Sequence, residues 1–148
     1  TNGRVIVELA EALATRHPNL AVVDNLGTQA YFSLMKHAAA MVGNSSSGII
    51  EAASFELPVV NIGARQQGRT QSGNVLNVAE ESSAIQAAIT RAVSDEFRAS
   101  LVGIRNIYGD GQATGRIIGR LKTETLDERL IMKQFHDISF QQVVKDAA

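Results

Sequence analysis

Four short, largely apolar runs constrain this chain more than any other feature: Leu20-Ala21-Val22-Val23, Ala40-Met41-Val42, Val59-Val60-Asn61-Ile62 and Val75-Leu76-Asn77-Val78. None alternates polar with apolar residues, so each reads as a strand buried on both faces. Segments of helical period stand between them. Ile6, Leu9, Ala10 and Leu13 mark a helix over residues 4–16, which His17-Pro18-Asn19 ends. Tyr31, Leu34, Met35 and Ala38 mark a second, with Thr28 as its expected N-cap. A third starts at Ser47 or Gly48, carries Ala52 and Ala53, and is expected to stop at Pro58. Ile85, Ala88, Ile89 and Ala92 mark a fourth. A short helix over 97–101, a turn at Tyr108-Gly109-Asp110-Gly111 and a helix with Ile117, Ile118 and Leu121 follow. The tail from Thr125, with Leu130, Ile131, Phe135 and Ile138, is expected to be partly helical. Strand and helix alternate, which is the pattern of an α/β fold: a parallel sheet with helices on both faces, Rossmann-like. At 148 residues the chain suits one domain with a real core.

Composition removes several classes of function. The 14 basic and 15 acidic residues are well mixed, so no basic face points to nucleic acid. There is no cysteine, and His17, His37 and His136 are scattered, so no metal cluster or other cofactor is expected. No apolar run reaches the roughly 18–20 residues of a membrane span, and the start shows no signal-peptide pattern. A cytoplasmic protein is the expectation.

One segment carries chemistry. The strand 40–42 runs into Gly43-Asn44-Ser45-Ser46-Ser47-Gly48, and a helix follows at once. A helix start offers unpaired N–H groups and partial positive charge, and serine hydroxyls beside Gly48 let an anion approach. Glu51 lies about one helical turn beyond Ser47. A carboxylate there repels phosphate but accepts hydrogen bonds from the two hydroxyls of a ribose. Spacing leaves a second reading open: the serines are caps, and Glu51 complements the helix start. Arg65 and Arg69, in the polar loop 63–74, read equally as solvated surface charge, and Tyr31 as a core residue.

These residues resemble a known family. Gly43-Asn44-Ser45-Ser46-Ser47-Gly48-Ile49-Ile50-Glu51-Ala52, then Pro58-Val59-Val60-Asn61-Ile62-Gly63, Arg65-Gln66-Gln67-Gly68-Arg69 and Asn74-Val75 are similar to the signature of the hydrolysing UDP-N-acetylglucosamine 2-epimerases. Gly109-Asp110-Gly111 and Phe135-His136-Asp137-Ile138 resemble it too. The likeness runs from about residue 20 to 138. It implies half of a two-domain, glycosyltransferase-B-like architecture with its active site in the cleft. It implies UDP or a UDP-sugar as ligand. Ser45 and Ser46 would contact the phosphates, with Ser47 and Gly48 at the helix start, Glu51 on the ribose and Arg65 near the phosphates. Gly27 and Tyr31 would lie near the uracil.

The reaction of that family abstracts a proton at C2 of the sugar, eliminates UDP and adds water to the resulting glycal. Its acid–base carboxylates come largely from an N-terminal domain with no counterpart here, so no catalytic residue is assigned. The resemblance therefore implies the UDP-holding, C-terminal part of a longer epimerase, inactive alone. Two alternatives stay open: a UDP-binding module without catalysis, and the nucleotide half of a UDP-sugar glycosyltransferase. An uncovered sheet edge or apolar face invites self-association, so a homodimer is an expectation as well.

Overall fold

A computed structural model describes residues 3–132. The motif 135–138 and the rest of the helical tail expected beyond 132 lie outside the described residues. The chain forms two compact units, Thr1–Tyr108 and Gly109–Ala148.

The first unit holds α1 (Gly3–Arg16), α2 (Gly27–His37), β1 (Met41–Gly43), α3 (Ser46–Ile50), a 3₁₀ turn (Ala52–Phe55), β2 (Val59–Ile62), β3 (Val75–Val78), α4 (Ser82–Ala92) and α5 (Asp95–Ser100). The strands form one parallel sheet in the order β1-β2-β3. Met41, Val59 and Val75 stand in one row, Val42, Val60 and Leu76 in the next, and Gly43, Asn61 and Asn77 at the carboxyl end. Successive residues of a strand point to opposite faces. Val59, 3% exposed, packs with Met35, Ala52 and Leu57, flanked by Tyr31, Phe32 and Phe55. Val60, 0% exposed, packs with Ala88 and Ala92 of α4. Both faces are thus covered at β2, as an unbroken apolar strand requires, whereas Val42 of β1 stays 46% exposed, so β1 is not the strand buried on both faces that its composition predicts.

Four further expectations are corrected. Leu20-Ala21-Val22-Val23 is not a strand; it is exposed and pairs with none among the described residues. Apolar composition favours burial, but a strand also needs a neighbour to take its N–H and C=O groups. Thr28 does not cap α2. The helix starts at Gly27, Leu26 is the cap without a side-chain bond, and Asn25 Oδ1 accepts the Gly27 N–H at 2.7 Å. The third helix does not run to Pro58. It starts at Ser46, tightens into the 3₁₀ turn, and ends at Glu56 in the left-handed conformation with φ 53°. There the Leu57 N–H turns back to the Ala52 carbonyl at 3.2 Å. The short helix near Phe97 begins at Asp95, because Ser94 Oγ accepts the Phe97 N–H at 3.2 Å.

Gly48 sets how closely α3 approaches the sheet. A Cβ there would stand 2.8 Å from Val59 Cγ1 and 3.6 Å from Met41 Sδ. Val59 is buried and β-branched, so it yields poorly. Gly48→Ala should therefore destabilise the fold by about 1–2 kcal/mol, overpacking outweighing the gain in helix propensity. Thermal melts check the sign and size. The same substitution should cost less in a Val59→Ala background, and equal costs in both backgrounds would remove this explanation.

In the second unit, α6 (Ala113–Thr123) follows the Gly109-Asp110-Gly111 turn, and α7 (Glu128–Ile131) follows it. Asp110 Oδ1 accepts the Gln112 N–H at 3.0 Å, and its carboxylate pairs with Arg116. Among the described residues no helix is long and apolar enough to cross a membrane.

Candidate functional site

β1 ends at Gly43, whose φ of 147° turns the chain sharply out of the sheet. Asn44 follows, and Ser45 becomes the N-cap of α3 with extended φ,ψ. Its Oγ accepts the Ser47 N–H at 3.3 Å, while the Gly48 N–H bonds to the Ser45 carbonyl at 3.2 Å. Two donors of this helix start are therefore engaged within the chain, and an arriving anion competes with Ser45 for the Ser47 N–H.

Beside this turn lies a cleft of about 640 Å³ between the 23–32 segment and the start of α3. Gly27, Tyr31, Ser45, Ser47 and Glu51 line it. The Tyr31 hydroxyl donates to Ser47 Oγ at 3.0 Å, and Ser47 Oγ in turn donates to Glu51 Oε2. The second carboxylate oxygen makes no hydrogen bond among the described residues, so Glu51 keeps capacity to accept from a ligand hydroxyl. Val23, Asp24, Asn25, Leu26, Thr28 and Phe32 complete the wall. Phe32 stacks at a tilt on Phe55, with centroids 5.5 Å apart, which fixes the apolar side of the cleft.

The remaining singled-out residues lie elsewhere. Ser46 does not line the cleft, and Gly48 is buried against the sheet. Arg65 is exposed outside the lining, 3.5 Å by Nη1 from Asn44 Oδ1, next to Ser45. Among the described residues it makes no ion pair. Arg69 parts from it and lines a second cleft of about 660 Å³ with Asn61, Gln67, Asn77 and Glu80. Sequence reasoning passed over Gln66 as an anchor. It is 2% exposed and donates through Nε2 to the Asn44 carbonyl at 2.8 Å, tying the arginine loop to the strand–helix turn. Among the described residues no cluster of three His, Cys, Asp or Glu side chains could hold a metal.

A hydroxyl-and-carboxylate cleft at the carboxyl end of a parallel strand defines an α/β protein of the class that takes ligands at that edge of the sheet. Within that class, the chain belongs to the UDP-N-acetylglucosamine 2-epimerase family, whose pattern it matches over residues 1–122. It is 39% identical over 139 residues to the GDP/UDP-N,N'-diacetylbacillosamine 2-epimerase (hydrolyzing) of Campylobacter jejuni, covering 93% of this chain and 35% of that protein. It is 35% identical over 133 residues to the UDP-N,N'-diacetylbacillosamine 2-epimerase (hydrolyzing) of Legionella pneumophila, covering 90% of this chain and 34% of that one. Polysialic acid biosynthesis protein P7 of Escherichia coli is 29% identical over 114 residues, 77% of this chain and 29% of the relative. The chain thus spans about a third of the length of these relatives.

Proposed function

We propose that the cleft holds the UDP part of a UDP-sugar, and that the protein carrying this segment is a hydrolysing UDP-sugar 2-epimerase. One observation carries the reading: Ser45, Ser47 and Glu51, close in sequence, share a single cleft with Gly27 and Tyr31. Hydroxyls at the carboxyl end of β1 suit a diphosphate, with Arg65 beside Asn44 as the nearby cation. A half-buried carboxylate one turn on suits the ribose diol. The wall of Asn25, Gly27 and Tyr31 is left for the base. Ser46 and Gly48 act in this scheme by shaping the helix start.

The names of the relatives support the hydrolysing branch and a diacetamido sugar as the substrate class. The cleft supplies groups that bind and orient. The acid–base groups that work at C2 are assigned to the remainder of the protein, so the 148-residue chain alone is expected to bind UDP without turnover. The outer edge of β1, unpaired among the described residues, and the exposed Ile6, Leu9 and Leu13 of α1 support burial against that remainder or a second copy. The reading carries with it a cytoplasmic location.

The test is a titration with UDP followed by backbone amide NMR, with UMP and CDP as controls. Shifts at residues 43–51 and around Arg65, larger for UDP than for UMP, are expected. Ser45→Ala should weaken UDP binding about tenfold or more, as loss of a hydrogen bond to a charged oxygen does. A folded chain whose amides ignore millimolar UDP would end the nucleotide reading for this segment.

A further inference from the structure

The segment 103–108 grips both elements that carry the proposed site. Asn106 Nδ2 donates to the Ile50 carbonyl at 2.8 Å and to Ser54 Oγ at 2.7 Å. Ile50 ends a five-residue helix, and the last carbonyls of a helix lack partners within it. Asn106 supplies one from 56 positions away, directly before Glu51. Its own Oδ1 accepts the Tyr108 N–H at 2.9 Å, which fixes the amide's orientation. Two positions on, the Tyr108 hydroxyl donates to the Thr70 carbonyl at 2.8 Å. Ile107 N–H points to Ser72 Oγ, at 3.4 Å. Thr70 and Ser72 belong to the loop that bears Arg65. At its other end that loop is held to Asn44 by Gln66. The arginine loop is therefore fastened twice, once to the strand–helix turn and once to a strap that also holds the end of α3.

We propose that Asn106 and Tyr108 are positioning residues, which hold α3 and the Arg65 loop in the relative placement that receives the diphosphate. The inference rests on the nucleotide reading above. Tyr108 is 45% exposed, so its hydroxyl contributes little to folding. What the hydroxyl does is remove slack from a loop whose guanidinium makes, among the described residues, only one long hydrogen bond, to Asn44. An arginine held near its bound position loses less freedom when the anion arrives.

Calorimetric titrations with UDP and UMP on the wild-type chain, Tyr108→Phe, Arg65→Ala and the double variant test it. Tyr108→Phe should weaken UDP binding about three- to tenfold, the scale of one hydrogen bond. It should weaken UMP binding less and leave the melting temperature nearly unchanged. In the Arg65→Ala background the same change should alter UDP affinity by less than about twofold, because two residues acting through one contact are not additive. Equal losses in both backgrounds, or unchanged UDP affinity in Tyr108→Phe, would overturn the positioning role alone. Failure of the wild-type chain to bind UDP would overturn the nucleotide reading and the strap's function with it.

Discussion

Replacing Glu51 by alanine is expected to weaken UDP binding by about 100-fold or more while leaving the chain folded. Glu51 is half-buried at the end of α3, and its Oε2 already takes the Ser47 hydroxyl. In the proposed complex the carboxylate also accepts two ribose hydroxyls. Hydrogen bonds to a charged acceptor are worth about 1.5–3 kcal/mol each, so losing two costs roughly 3 kcal/mol even with some compensation by water. The alanine also releases Ser47, whose hydroxyl then keeps, among the described residues, only Tyr31 as a hydrogen-bond partner. Uridine discriminates between the two causes of loss. If the carboxylate reads the ribose, uridine and UDP should lose the same factor. If Glu51 serves only to hold Ser47 against a phosphate, UDP should lose affinity and uridine should not. A Glu51→Ala chain that binds UDP as tightly as wild type would remove Glu51 from the site altogether. Titration by calorimetry, with melting curves to confirm folding, reads all three outcomes.

The parts of this site that were legible in the sequence are the local ones. Residues 40–51 run strand, turn, helix without a break, so their chemistry and geometry come from one stretch. Gly27 and Tyr31 lie on the helix that leads into that strand, but spacing marks Tyr31 as a core residue and Gly27 as part of a turn, and only the family resemblance points to them as site residues. The two buried faces of the sheet were equally plain, because Val59 and Val60 are both apolar where an exposed face would have shown a polar residue. Contacts made by single amides were not legible. Gln66 reaches Asn44 across 22 positions, and Asn106 reaches Ile50 across 56. An asparagine or glutamine carries no periodic signal, and nothing in its neighbours names its partner. Tyr108 reads as the first residue of a turn, and the structure has it in a turn with Ile107, yet the turn says nothing of where its phenol goes. The early end of α3 depends on Glu56 at φ 53°, a conformation non-glycine residues rarely take and no residue type announces. The run 20–23 shows the complementary limit. Its composition specifies burial, but a strand is a relation between two segments, and a segment alone cannot specify its partner.

Asn74→Asp, a change of one atom, is expected to produce the largest loss of stability. Asn74 is 0% exposed, and its Nδ2 donates to the Leu57 carbonyl at 2.8 Å. Its own carbonyl takes the Val59 N–H at 2.8 Å, so one residue fastens both sides of the turn that enters β2. Its Oδ1 is buried with no partner among the described residues. An aspartate in this place loses the donor, sets an oxygen against the Leu57 carbonyl and buries a charge with nothing to compensate it. An unpaired buried charge costs about 3–5 kcal/mol, a large part of the stability of a small domain. The carboxyl escapes by holding its proton, so burial raises its pKa in the folded state above the unfolded value of about 3.9. The folded chain then binds more protons than the unfolded one. The variant is therefore closest to wild type below about pH 4, where the protonated acid can donate to the Leu57 carbonyl. It loses stability as the pH rises through the raised pKa, and the loss then levels off. Asn74→Ala lacks the titrating group, so its deficit relative to wild type should be the same at every pH. Melting curves of the three proteins from pH 4 to pH 8 give the difference directly. An aspartate variant whose deficit does not grow with pH would show that water or a shifted backbone reaches position 74. The turn that leads from the arginine loop into β3 would then be less tightly closed than its hydrogen bonds imply.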